Sequence, residues 1–263
     1  MSQKATYLDR ILEHHRALAA NDKRSLGDLV RRCEQMQSAR GFRDRLAMDA
    51  PQAIAVISEI KRKSPSKGLL RANLDPQYLS DAYQAGGASC LSVLTDEDFF
   101  AGSIEDLHIA AAACTLPVLR KDFTVSAHDV CDTRLMGADC VLLIAAALDP
   151  HELKDLHHLA TSLGLDVLVE IHDEAELEVA LSAGALLIGV NQRDLVTFEV
   201  DHQRALRMAG LIPSGVLRVA ESGVRGPADA LALHQAGYHS VLVGESLVTS
   251  EDPAGAVRAL RNL

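Results

Sequence analysis

After residue 51 the chain alternates short apolar runs with stretches of helical spacing. The runs are AIAVISEI (53–60), ASCLSVLT (88–95), LPVLRKDF (116–123), ADCVLLIA (138–145), DVLVEI (166–171), ALLIGV (185–190), VLRVAES (216–222) and HSVLVGES (239–246). Several are continuous rather than alternating, the pattern of parallel strands covered on both faces. Between them apolar residues recur every three or four positions. Leu153, Leu156, Leu159, Ala160 and Leu163 share one helix face. That stretch opens with Asp149, Pro150 and Glu152, which suit an N-cap, a first-turn proline and a capping carboxylate. Asp173 and Glu176 repeat the device. QAGGA, LMGAD, SAGAL and QAGYH place Gly86, Gly137, Gly184 and Gly237 just past helix ends.

Strand and helix therefore alternate eight times, which predicts an α/β fold, a closed (β/α)8 TIM barrel. An open doubly wound sheet is the alternative. It would carry a glycine-rich fingerprint after its first strand, and this chain has none there. Residues 1–50 differ: charged and helical, with Leu8, Ile11, Leu12 and His15 on one face and Leu26, Leu29, Val30 and Cys33 on another. They are expected to form an N-terminal helical extension packed on the barrel. Residues 51–263 form the barrel itself, with one catalytic domain overall.

Composition narrows the function. Hydrophobic residues make up 48% of the chain, aromatics only 3%, and Trp is absent, so the core is aliphatic. A net charge of −10 argues against nucleic acid and anionic membrane as partners. No apolar run is long enough to span a bilayer, and MSQKATYLDR has no apolar signal segment. Cys33, Cys90, Cys114, Cys131 and Cys140 form no CxxC pair, which suggests reduced thiols and a cytoplasmic location.

In a barrel of this kind the chemistry lies at the C-terminal strand ends. The first strand ends in Glu59, Lys61, Lys63 and Ser64, within EIKRKSPSKG. Alternation puts Glu59 and Lys61 on one face. The third ends in Arg120, Lys121 and Asp122; the fifth in Glu170; the sixth in Asn191, Arg193 and Asp194; the seventh in Glu221, Ser222 and Gly223; the eighth in Gly244, Glu245 and Ser246. Carboxylates inside apolar runs, such as Glu170 and Glu221, are costly unless paired or used. The glycine-bearing turns ESGV and VGES follow strands 7 and 8, where this architecture binds phosphate. The barrel closes between strands 8 and 1, so Lys61, Lys63, Ser64 and Lys67 are expected to face a small anionic substrate across that seam. Arg62 is read as solvated. The histidine pairs His14–His15 and His157–His158 lie on helices, and no HxH or HExxH occurs at a strand end, so no metal is expected.

EIKRKSPSKG, VLRKDF, LVEIHDEAEL, GVNQRDL, AESGV and LVGESL, in this order and spacing, resemble the indole-3-glycerol-phosphate synthase family. The resemblance runs from about residue 5 to the end of the chain. Two positions depart from it: Gln192 stands where many relatives have Asn, and Ala101 where Gly is frequent. The resemblance implies closure, decarboxylation and dehydration of 1-(2-carboxyphenylamino)-1-deoxyribulose 5-phosphate in tryptophan biosynthesis, without cofactor. It implies Lys121 as general acid, Lys61 on the substrate carboxylate, and Glu170 as acid and base for the later stage. Glu59 orients the lysines and substrate hydroxyls, and Asn191 and Glu221 hydrogen-bond the substrate. Ser64, Ser222, Gly223, Gly244 and Glu245 fall at the phosphate. Phe99, Phe123 and Leu195 line the anthranilate pocket, with Arg193 also in the substrate-binding set. Lys61 is expected to lower the pKa of Lys121 by like charge. Two other readings are a sister barrel isomerase that loses no carbon and a non-catalytic phosphosugar sensor. Protein partners and oligomeric state have no sequence signal.

Overall fold

The computed structural model describes residues 6–262; the remainder of MSQKATYLDR before Thr6, and Leu263, lie outside the described residues. Eight parallel strands close into a barrel: β1 (Ala55–Ile60), β2 (Cys90–Leu94), β3 (Val118–Lys121), β4 (Cys140–Ile144), β5 (Asp166–Ile171), β6 (Leu187–Asn191), β7 (Leu217–Glu221) and β8 (Ser240–Val243). Each pairs with its sequence neighbours, and β1 closes on β8 with Ala55 opposite Ser240. The strands β1, β2, β4, β6 and β8 are buried throughout, as their unbroken apolar runs require.

Three helices precede the barrel: α1 (Tyr7–Asn21), α2 (Leu26–Glu34) and α3 (Phe42–Asp49). They touch both ends of it. On the catalytic side, His15 of α1 bonds Asp96 at 2.9 Å, and Arg16 makes a bidentate pair with Glu152 at 2.8 Å. At the opposite mouth, Phe42 is fully buried, Arg40 pairs with Asp139 at 2.8 Å, and the Arg43 N–H donates to Asp166 at 2.9 Å. Asp139 and Asp166 stand just before β4 and at the start of β5, so the link into α3 is tied beneath the barrel.

The helix signals are realised with one shift. Asp149 and Glu152 form a full capping box. Asp173 caps its helix, but the Glu176 carboxylate accepts from the His172 N–H instead of from the cap. Gly137, Gly184 and Gly237 adopt left-handed φ of 83°, 91° and 95°. At the first of the four sites it is Gly87, not Gly86, that does so, at φ 87°. Gly86 is the last helical residue, and a β-carbon there would lie 2.6 Å from the Ala254 carbonyl oxygen, so its smallness serves helix packing.

Candidate active site

A cavity of about 450 Å³ opens at the C-terminal ends of the strands. Glu59, Lys61, Lys121, Glu170, Asn191 and Glu221 all line it. They come from β1, β3, β5, β6 and β7, far apart in the chain, and alternation turns each inward. On β3 the same alternation turns Arg120 away. Its guanidinium does not border the cavity and bonds Thr95 at 3.0 Å and Asp122 at 2.8 Å.

The charges form one network. Lys61 Nζ donates to Glu59 Oε1. Lys121 Nζ lies 3.3 Å from Glu170 Oε2, and Asn191 Nδ2 donates to Glu170 Oε1 at 2.9 Å. The Arg193 N–H donates to Asn191 Oδ1 at 3.0 Å, which aims the amide nitrogen at Glu170. Glu221 is buried, and its Oε1 has no protein partner among the described residues. Gly189 makes room for it: a β-carbon at 189 would collide with that oxygen.

Electrostatics sort these groups. Burial opposes the charge on Lys121, but Glu170, Glu221 and Glu59 outweigh it and raise its pKa. The expected lowering by Lys61 does not occur, because Lys61 is neutralised by Glu59 and three carboxylates face Lys121. Burial works to raise the Glu170 pKa, but Lys121, His172 and Asn191 prevail and hold it below the ordinary value. Glu221 is pushed well up, by burial first and then by the negative charge of Glu170. Glu170 is thus the stronger acid of the buried pair and Glu221 the weaker.

The rim beside β7 and β8 has a different character. Ser222 and Gly223 take consecutive left-handed conformations, φ 64° and 75°. The N–H groups of Gly223 and Val224 have no protein acceptor among the described residues. Gly244 brings its backbone against the Glu59–Lys61 pair, where a β-carbon would overlap Glu59. A one-turn helix, Glu245–Val248, starts there. Ser64, Ser222, Gly223, Gly244 and Glu245 all border the cavity. Ser64 Oγ also accepts from the Lys67 N–H at 3.2 Å, shaping a small hairpin of residues 63–64 and 68–69. Lys67 Nζ stands 3.7 Å from Glu245 Oε1, so hairpin and rim meet across the β8–β1 seam.

Several expectations change. Phe123, Arg193 and Leu195 line the cavity, but Phe99 does not; Phe100 does. Both sit in a one-turn helix, Glu97–Phe100, capped by Asp96. Successive helical residues point about 100° apart, and Phe99 is turned to α1, where its ring centroid lies 5.8 Å from those of Tyr7 and His14. Lys63 lies in the hairpin and does not border the cavity. Arg62 is not merely solvated: its guanidinium bonds buried Asp106 at 2.7 Å. Gln192 is buried and donates to the Ser222 carbonyl at 2.8 Å, tying β6 to the β7 turn. His15 is no idle surface histidine. With Asp96 and Asp122 it forms a close group of metal-ligand type, in which Asp122 also pairs with Arg120 and Asp96 caps the Phe99 and Phe100 N–H groups. Missed altogether were Phe198, His202 and Arg225, which line the cavity from loops without strand-end markers. Phe198, at φ 63°, packs against Tyr7 with centroids 5.1 Å apart.

The sequence profile of the family described as Indole-3-glycerol phosphate synthase matches residues 8–260. The chain belongs to the indole-3-glycerol phosphate synthase family. Curated relatives carry that name: one from Bordetella pertussis (strain Tohama I) is 47% identical over 89% of this chain and 90% of its own. One from Mycobacterium sp. (strain KMS) is 49% identical over 97% and 94%. Among solved structures, the N-acetylmannosamine-6-phosphate 2-epimerase from Clostridium perfringens superposes with a TM-score of 0.59 at 14% identity, covering 75% of this chain and 89% of that one. A thiamine phosphate pyrophosphorylase from Pyrococcus furiosus gives 0.58 at 13% identity, covering 80% and 95%. At such identity these two share the barrel alone, whereas family membership of the synthase rests on the sequence relatives.

Proposed function

We propose that the chain is the carboxy-lyase (EC 4.1.1.48) that forms indole-3-glycerol phosphate in tryptophan biosynthesis, from 1-(2-carboxyphenylamino)-1-deoxyribulose 5-phosphate. What supports this most is the convergence of Glu59, Lys61, Lys121, Glu170, Asn191 and Glu221 on one cavity. The substrate carries a phosphate, a carboxylate and an aromatic ring, and the cavity offers a matching surface for each. The turns after β7 and β8 present glycines and free N–H groups to the phosphate. Phe100, Phe123 and Leu195 bound an apolar side for the ring. Lys61 supplies a cation for the carboxylate.

Ring closure draws an aromatic carbon onto the ketone carbon, and the ketone oxygen gains negative charge. Lys121, charged across neutral pH because of its raised pKa, stabilises that oxygen and delivers its proton. The carboxylate then leaves as CO2, and its bonding electrons restore the aromatic ring. Loss of the new hydroxyl as water needs a proton delivered to it and another removed from the ring system. Glu170, ionised and beside Lys121, takes these steps in turn. Glu221, the weaker acid of the two, hydrogen-bonds the substrate from the far side. Glu59 and Asn191 hold Lys61 and Glu170 in place.

Residues 1–50 are read as an extension and 51–263 as the catalytic barrel. The net charge of −10 and five free cysteines suit a cytoplasmic enzyme with no nucleic-acid partner. Among the described residues no helix is long and apolar enough to cross a membrane. The decisive experiment supplies the purified protein with the carboxyphenylamino ribulose phosphate, without added metal, and follows indole absorbance and CO2 release. Isomerised product without CO2, or binding without turnover, would overturn the assignment.

A further inference from the structure

His172 follows Glu170 by two residues and does not border the cavity. It stands behind the site. Its Nδ1 is 3.1 Å from Glu176 Oε2, and the same oxygen accepts from the His172 backbone N–H at 2.7 Å. That double hold fixes the ring. The other nitrogen, Nε2, is buried without a hydrogen-bond partner and faces Glu170 Oε1 at 3.7 Å. A buried ring nitrogen left unpaired and aimed at a buried carboxylate calls for an explanation.

The reaction provides one. On the reading above, a substrate carboxylate departs as CO2. Substrate plus one proton gives product, CO2 and water, so each turnover consumes a proton. With substrate filling the cavity its groups are cut off from bulk water, and Lys121 and Glu170 can only pass along protons they are given. We infer that His172 is the proton reservoir of the site: as imidazolium it gives its Nε2 proton to Glu170 Oε1 when turnover draws one, and regains it through Glu170 when the emptied cavity admits water. In that transfer the Nε2–H bond breaks, a carboxyl O–H bond forms, and imidazolium becomes neutral imidazole with Nδ1–H still donated to Glu176. Glu170 then hands the proton to the departing hydroxyl and, again a carboxylate, takes the proton that the ring system loses and returns it to Lys121, which gave its own to the ketone oxygen. The His172 side chain is 11% exposed and its Nε2 is buried, so Glu170 is the neighbour through which that nitrogen exchanges its proton.

The charged groups facing the ring agree with this role. Glu170 on its own strand and Glu176 on the following helix favour the imidazolium. Arg204, on the short helix Arg204–Met208, opposes it. Burial also opposes the charge, yet the two carboxylates prevail and the His172 pKa lies above its ordinary value. His172 is thus a positioning and proton-holding residue that acts through Glu170, not a group that touches substrate.

This inference rests on the proposed reaction, and its test separates the two. Conversion of substrate with CO2 release by the unaltered enzyme establishes the reaction. In the same assay His172→Gln and His172→Ala should lower kcat by about tenfold and leave KM within about twofold. The acid limb of the kcat profile should move up by about one pH unit, because Glu170 loses the cation that keeps it ionised. Added imidazole should restore kcat of His172→Ala in a saturable way, which repair of a packing defect would not do. Glu176→Gln keeps the shape and removes the charge, so it should shift the profile in the same direction by less. Unchanged kcat and pH profile in the His172 variants overturn the inference, as does a loss that raises KM and ignores imidazole. Should the His172 variants not fold, an unshifted profile in Glu176→Gln overturns it alone.

Discussion

Lys121 Nζ and Glu170 Oε2 lie 3.3 Å apart at the ends of alternate barrel strands, both nearly withdrawn from water. Each holds the other in its charged form. The cost of burying either alone would be several kcal/mol, so truncating one disturbs the other. Lys121→Ala should reduce turnover by at least about 10²-fold while the barrel still folds. Steady-state kinetics on indole formation, with circular dichroism as the folding control, measures this. Near-full activity would remove Lys121 from its role as acid.

Gly189→Ala should be inactive without any change to a charged residue. The added methyl group would occupy the place of the Glu221 carboxylate. Overpacking of this kind costs about 1–3 kcal/mol, and displacing a catalytic group by an ångström costs about 10²-fold in rate. Thermal denaturation and kinetics together test the pair of effects. An active Gly189→Ala would mean that Glu221 is free to move aside.

Ala101 takes a left-handed φ of 52°, a conformation in which a β-carbon is strained and glycine is not. Ala101→Gly should raise stability by about 0.5–1 kcal/mol, the left-handed penalty less the added freedom of the unfolded chain. Urea denaturation would detect it, and a lowered midpoint would contradict the strain.

The anchorage of α1 should weaken as pH rises. Burial disfavours charge on His15, but Asp96 and Asp122 prevail, so its pKa stands above the ordinary 6.5. A raised folded-state pKa gives stability that is complete below the unfolded value and is lost as pH climbs through the folded one. The stability gap between the native chain and His15→Gln should therefore be larger at about pH 5.5 than at about pH 8.5. An equal gap at both would leave His15 with packing alone.

The barrel and most of its mouth were legible because parallel buried strands write unbroken apolar runs, and a carboxylate inside such a run stands out. Glu170 and Glu221 were visible for that reason. Gly189 was not, since its meaning depends on the register that sets Asn191 opposite Glu221. Phe99 and Phe100 are adjacent letters, and only the turn of a short helix decides which faces the cavity. The direction of the Lys121 pKa shift was misjudged because it depends on how closely Glu170, Glu221 and Glu59 approach the ammonium, a distance that sequence does not carry. His15 was passed over because it lies on a helix and not at a strand end; its partners Asp96 and Asp122 lie far along the chain, where sequence does not connect them to it.

The seam between Ala55 and Ser240 joins the first strand of the barrel to the last. Such a contact makes loop-closure entropy large and assembly slow. During synthesis the outer edge of the first strand must wait, unpaired, until the eighth has emerged from the ribosome. The Glu59–Lys61 pair and the Gly244 backbone that presses on it therefore meet only when that seam closes, so this part of the rim is a late product of assembly.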